Sequence, residues 1–241
     1  MKKLIGRKPE ISILLKALKS SKPELIAVYG RRRVGKTFLI RKVYNKNIQF
    51  EFSGIHNVPL KQQLNNFHLE LSAKNTNFKK PSNWIEAFHQ LTQFIDKLTS
   101  KKKKAIFIDE FPWLDTRKSN FLAAFDNFWN SYATKKDDLV VVICGSAASY
   151  MIKKIIRSRG GLHNRLTEKI QLAPFNLNET QLLLKHEDSV FGAKLDTVYL
   201  PVGPTKYPGL PVTVIVPSAN AHDDIKRKST EVIIFIFISP F

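Results

Sequence analysis

A single cysteine, Cys144, is all that the 241-residue sequence offers for covalent cross-linking, which excludes a disulfide framework. The spacings at which Cys and His pair around zinc do not occur either, so a structural metal knot is excluded. No apolar run approaches the ~20 residues that a bilayer-crossing helix needs. The charged start MKKLIGRKPE leads into no uninterrupted apolar stretch of the kind a secretory signal carries. These absences point to a reducing cytoplasm, with no export and no membrane span. Acidic residues are scarce as well: 20 Asp and Glu stand against 39 Lys and Arg, a formal net charge of +19. That imbalance makes DNA or RNA an electrostatically reasonable partner. A Lys-rich solvated face is the favoured explanation, because runs such as Lys101 to Lys104 carry no interleaved aromatic platform on which bases could stack.

What is present suits a soluble globular protein of one large domain, or one and a half, since 43% of the residues are hydrophobic and 11% aromatic. Residues 9–20 place Ile11, Leu14, Leu15 and Leu18 at helical spacing, and a strand follows at about 25–29. Phe38, Leu39, Ile40 and Val43 continue as a helix to about Tyr44, and IQFEFSG reads as a strand ending at Gly54. Amphipathic helices are predicted over 58–72, 83–98 and 118–132, the second carrying Trp84, Ile85, Phe88, Leu91 and Phe94 on one side. Ala105 to Ile108 makes a short buried strand, and the continuous apolar run LVVVIC at 139–144 is typical of an inner parallel strand. Residues 168–172 suit an edge strand and 178–185 a helix. Strands alternating with helices predict an α/β fold, a parallel sheet with helices on both faces.

The stretch GRRRVGKT fills every position of the phosphate-loop pattern G-x-x-x-x-G-K-[ST]. A strand delivers it and a helix leaves it, which is the context in which main-chain N–H groups and a helix N-terminus can surround phosphate. The nucleotide-binding run is therefore Gly30, Arg31, Arg32, Arg33, Val34, Gly35, Lys36, Thr37 and Phe38. Gly30 and Gly35 permit close backbone approach, Lys36 reaches the β and γ phosphates, and the Thr37 hydroxyl can ligate Mg²⁺. Asp109 and Glu110 end an apolar strand, which suits Asp109 to the Mg²⁺ shell and Glu110 to polarising the attacking water. An ordinary solvated turn is the other explanation of that acidic pair. Ser146, at the tip of the LVVVIC strand, either touches the attacking water or the γ phosphate and reports its loss, or caps the next helix. Cys144 reads as a buried strand residue rather than a nucleophile, with no His nearby in sequence. In RSRGGLHNRLTEKI, Arg165 follows two glycines and could supply a guanidinium to a γ phosphate of the same or a neighbouring subunit, or could be an ordinary surface arginine.

Taken together, LIGRKPEISIL, VYGRRRVGKTFLI, FEFSG, IFIDEFPWLD, VVVICGSAASYM and GGLHNRLTEKIQLAPFNLNET resemble the prokaryotic AAA+/STAND-like P-loop ATPases of the archaeal-ATPase family, which often carry a C-terminal restriction-endonuclease-like domain. The likeness covers about residues 4–185. It implies an ASCE-like sheet in which the strand ending at Ser146 lies between the phosphate-loop strand and the acidic-pair strand. It also implies that Gly6 and Arg7 lie near the adenine pocket, that Ser146 acts as a sensor, and that Arg165 resembles the family's arginine. The cofactors implied are ATP and Mg²⁺, and the function a nucleotide-driven ATPase switch, with a homo-oligomer as one possible state. The alternatives are a basic nucleic-acid-binding module or an ATP-binding remnant that does not hydrolyse. Transfer of phosphate to a small molecule lacks an acceptor-binding motif. Domain expectations are an ATPase domain at 1–187 and an atypical, irregular tail at 188–241 in which the family's helical lid is missing or replaced. In that tail the charges balance, six of the twelve prolines crowd together, and EVIIFIFISPF reads as a buried strand or an aggregation-prone segment, as in a truncated or frame-shifted product.

Overall fold

The computed structural model describes residues 4–74, 76–100, 102–157, 161–183, 195–198 and 214–217. The chain divides into two compact units, residues 1–174 and 175–241. In the first, five strands form one sheet: β1 (Glu24–Tyr29), β2 (Ile48–Ser53), β3 (Lys104–Asp109), β4 (Leu139–Gly145) and β5 (Glu168–Gln171). Their order is β2-β3-β4-β1-β5, and every neighbouring pair is parallel. The helices are α1 (Lys8–Lys19), α2 (Lys36–Tyr44), α3 (Leu60–Ser72), α4 (Trp84–Asp96), α5 (Phe121–Ser131) and the short α6 (Ala148–Tyr150), which winds on into a wider π-type turn over Met151–Ile156. The predicted α/β architecture is the one observed. Residues 168–171 do form an edge strand, and β4 does lie between β1 and β3.

Both faces of the sheet are covered, which is why its inner strands read as unbroken apolar runs. Successive side chains of a strand point to opposite faces. Leu25, Ala27, Ile106, Ile108, Leu139, Val141 and Ile143 therefore join α3, α4 and α5 in one core. Ile26, Val28, Phe107, Val140, Val142 and Cys144 join α1 and α2 in the other. The first core is strongly aromatic: Trp84 lies 4.9 Å from Phe121, and Phe88 stacks at 5.3 Å on Phe128. Helix α4 begins where it does because Asn83 Oδ1 accepts the Glu86 N–H at 2.9 Å, while Glu86 Oε2 accepts from both the N–H and the hydroxyl of Ser82. This reciprocal arrangement satisfies amides that have no partner inside the helix.

Three positions depart from the sequence reading. Leu15, Ile85 and Phe38 are 43%, 63% and 40% exposed, because each sits on the flank of a helix whose buried stripe is narrower than the apolar pattern. Two lysines of the run, Lys103 and Lys104, are also not solvated connectors. Lys103 is buried and its Nζ donates to the carbonyls of Ser20, at 2.7 Å, and Lys22, while Lys104 opens β3 and pairs with Asp138. Lys101 lies outside the described residues. In the second unit, residues 177–183 are helical, and β6 (Leu195–Val198) pairs antiparallel with β7 (Val214–Pro217). Most of the 188–241 tail, including EVIIFIFISPF, lies outside the described residues.

Candidate functional site

The strand order brings four strand ends to one edge. Tyr29 is in register with Gly145, and Ser53 with Asp109, so the C-terminal ends of β1, β4, β3 and β2 finish side by side. In an open parallel sheet this is the edge where ligands bind. The loop 30–35 leaves β1 here and opens directly into α2. Gly30 has φ +150, and a Cβ on it would stand 2.2 Å from the Leu172 carbonyl oxygen, so only glycine fits where the end of β5 crosses the loop. Gly35, at φ +89, makes the left-handed turn immediately before α2 and points the first helical amides back into the loop.

Lys36 is buried, and its Nζ donates to the carbonyls of Gly30 (3.0 Å) and Arg31 (2.7 Å). The ammonium is thus folded into the concavity of the loop, held by two neutral acceptors that an anionic oxygen would outcompete. Thr37 Oγ1 donates to Asp109 Oδ2 at 2.7 Å, across 72 residues of sequence. Asp109 is itself buried, and its Oδ1 accepts the Glu110 N–H at 2.9 Å. Beside it the Cys144 thiol is pushed well up, first by burial and then by the Asp109 carboxylate. It stays protonated, which accords with a buried strand residue rather than a nucleophile.

Glu110 has left-handed backbone angles, φ 44 and ψ 42, a conformation that disfavours a side-chain-bearing residue by roughly 1–2 kcal/mol. Its Oε2 accepts two hydrogen bonds, from Ser146 Oγ at 2.9 Å and from Trp113 Nε1 at 3.1 Å. Ser146 does not form the helix cap: α6 starts after Ala147 without a side-chain cap, and the Ser146 hydroxyl turns to Glu110 instead. Gly6 and Arg7 both have positive φ, and the buried Arg7 guanidinium donates to the Val34 carbonyl at 3.3 Å, which ties the N-terminal segment to the phosphate-loop motif. Arg31, Arg32 and Arg33 are exposed. Phe38 is exposed too, with the Lys42 ammonium 5.6 Å from its ring centre.

Arg165 is the predicted residue that the fold does not bring to this edge. The Thr167 N–H donates to the Leu25 carbonyl, near the start of β1, whereas the phosphate-loop motif follows Tyr29 at its end. At about 3.3 Å per residue these levels are separated by about 13 Å. The Arg165 guanidinium instead pairs with Asp126 of α5 at 2.6 Å. Two residues to which the sequence assigned no role adjoin the site. Trp113 lies three residues after Glu110 on a 3₁₀ turn, Phe111–Leu114, and His56 packs edge-on against its ring at 4.2 Å. The only signal in the sequence was an aromatic at the i+3 spacing of such a turn.

Among the described residues no group of three His, Cys, Asp or Glu could cage a metal ion. One hydroxyl and one carboxylate, Thr37 and Asp109, suit Mg²⁺ of the kind that takes most of its oxygens from phosphate and water. Among the described residues no helix is long and apolar enough to cross a membrane.

A family model described as an ATPase domain predominantly from Archaea matches residues 4–196. An uncharacterized protein of Methanocaldococcus jannaschii is 27% identical over 170 residues, 70% of this chain and 36% of that protein. An uncharacterized ATP-binding protein of the same archaeon is 48% identical over 46 residues, 19% of this chain and 78% of its own length. Among solved structures, a Walker-type ATPase of Pyrococcus abyssi superposes with a TM-score of 0.53 at 19% identity, over 83% of this chain and 60% of that one. The chain thus spans about a third of the first relative's length and three fifths of the Pyrococcus ATPase's.

Proposed function

The chain belongs to the family of ATPase domains found predominantly in Archaea, and on that premise we propose that it hydrolyses ATP with Mg²⁺ and serves as a nucleotide-driven switch in the cytoplasm. The observation that carries this is the 2.7 Å bond between Thr37 and Asp109, with Glu110 next in the chain and Lys36 folded into the loop beside them. A hydroxyl from the phosphate-loop helix and a carboxylate from a separate strand have no structural need to meet at the ligand-binding edge of a sheet. They do have a shared use there. Thr37 and Asp109 would hold Mg²⁺, which when bound with the nucleotide neutralises phosphate charge and aligns the phosphates.

The remaining chemistry falls to side chains of this chain. Main-chain N–H groups of 31–37 and the start of α2 bind the β and γ phosphates. Lys36 exchanges its two carbonyl partners for phosphate oxygens. Glu110 accepts a proton from the attacking water as that water's oxygen bonds to the γ phosphorus and the bond to the β–γ bridging oxygen breaks. Ser146, on the glutamate, senses loss of the γ phosphate, and Gly6 and Arg7 place the N-terminal segment at the adenine. Arg165, set back from the loop, serves as an arginine finger only toward a neighbouring subunit. The test is ATP binding and turnover by the wild-type chain and by Glu110→Gln. Binding in both, with turnover reduced about 10²–10⁴-fold in the variant, is expected; binding without turnover in either would leave a nucleotide-binding protein that does not hydrolyse.

The net charge of +19 favours a second reading, nucleic-acid binding. Affinity for duplex DNA should then fall steeply between about 50 and 200 mM salt, and an affinity indifferent to salt would refute phosphate contacts as its basis.

A further inference from the structure

The carboxylate of Glu110 is aimed by a residue to which no role has been assigned above. We propose that Trp113 is a positioning residue for the hydrolytic glutamate, an inference that rests on reading Glu110 as the group that activates water. The Trp113 indole N–H and the Ser146 hydroxyl both donate to the same oxygen, Oε2, at 3.1 and 2.9 Å. Among the described residues Oε1 accepts no hydrogen bond, which leaves it as the oxygen that faces water. Two donors arriving from different elements, the turn after β3 and the tip of β4, fix the plane of a carboxyl group that would otherwise rotate freely about its terminal bond.

The indole is itself held from two sides. His56, just past β2, packs edge-on at 4.2 Å, and the guanidinium of Arg32, in the phosphate-loop motif, lies 5.9 Å from the ring centre. A cation over an aromatic face is attracted to it. Trp113 thus links the phosphate-loop motif to the glutamate's carboxylate, and its backbone is secured by its own N–H on the Glu110 carbonyl at 3.0 Å. Simple packing does not require an indole here: Trp113 is half-buried, whereas the core tryptophans Trp84 and Trp129 are 1% and 3% exposed.

Trp113→Phe removes the N–H and keeps a ring between His56 and Arg32. Expected is a fall in kcat of about tenfold, the size of one hydrogen bond to a charged group, with KM for ATP changed less than about twofold. In a Glu110→Gln background the same substitution should lower single-turnover hydrolysis no further, because the group it positions is gone. An unchanged kcat, or an equal fall in both backgrounds, overturns the positioning role while leaving the hydrolytic reading intact; no turnover by the wild-type chain overturns both. Should Trp113→Phe unfold, acrylamide quenching decides. The exposed share of tryptophan emission comes from Trp113, so Glu110→Ala must raise quenching when the carboxylate holds the indole, and equal quenching in the two proteins refutes the link.

Discussion

The buried polar side chains of the site each have a partner, and the partners explain why charged groups tolerate burial there. Lys36 sits on two loop carbonyls, and Asp109 takes a hydroxyl on one oxygen and an amide on the other. Buried ions without such bonds would be strongly destabilising. Glu110 shows the reverse economy, since its left-handed backbone is tolerated because both its amide and its carboxylate are held. Cys144, fully buried in β4 with its thiol kept protonated, has no route to a reagent in the folded chain. Ellman's reagent should therefore find no reactive thiol in the native protein and one per chain in denaturant. A native protein that reacts rapidly would contradict the burial of β4.

At the scale of elements, the site depends on how β5 closes against the phosphate loop. The Leu172 N–H donates to the Tyr29 carbonyl at 2.7 Å, so the backbone that would collide with a Cβ at residue 30 cannot retreat without losing that bond. Gly30→Ala should destabilise the fold by about 1–3 kcal/mol. In a domain of this size each kcal/mol lowers Tm by about 2–4 °C, which thermal denaturation resolves. The start of α4 supplies a pH-dependent contribution. Hydrogen bonds from the Ser82 backbone N–H and hydroxyl hold the Glu86 carboxyl below its usual range. A carboxylate depressed in the folded state stabilises above its unfolded pKa, about 4.3, and ceases to do so as pH falls through its folded value. Wild-type Tm should thus drop more between about pH 5 and 3 than that of Glu86→Gln, and parallel curves would show that this cap carries no linkage.

For the whole molecule, Arg165 bears on assembly. Its ion pair with Asp126 is about one third exposed at each partner, so breaking it should lower stability by at most about 1 kcal/mol. Under the proposed function, any catalytic part of Arg165 is played toward a neighbouring subunit. The expected outcome is a specific ATPase activity that rises with protein concentration, and an Arg165→Ala chain that folds normally and loses the rise. Activity independent of concentration in both proteins would make Arg165 a surface ion pair alone. Much of this molecule was legible in advance, because a strand covered on both faces must be apolar at every position, as in LVVVIC, and because phosphate binding demands glycine, lysine and a hydroxyl within eight consecutive residues. Local chemistry of that kind is written in contiguous sequence, and so the phosphate-loop motif, the acidic pair and the alternation of strands and helices followed from the sequence alone. What only the folded chain decided are relations between distant segments: Thr37 on Asp109, Ser146 and Trp113 on one oxygen of Glu110, Lys103 beneath the Ser20 and Lys22 carbonyls, and Arg165 turned to Asp126. No local pattern encodes these contacts, since which polar groups meet depends on the order in which strands pair and on where each helix returns across the sheet.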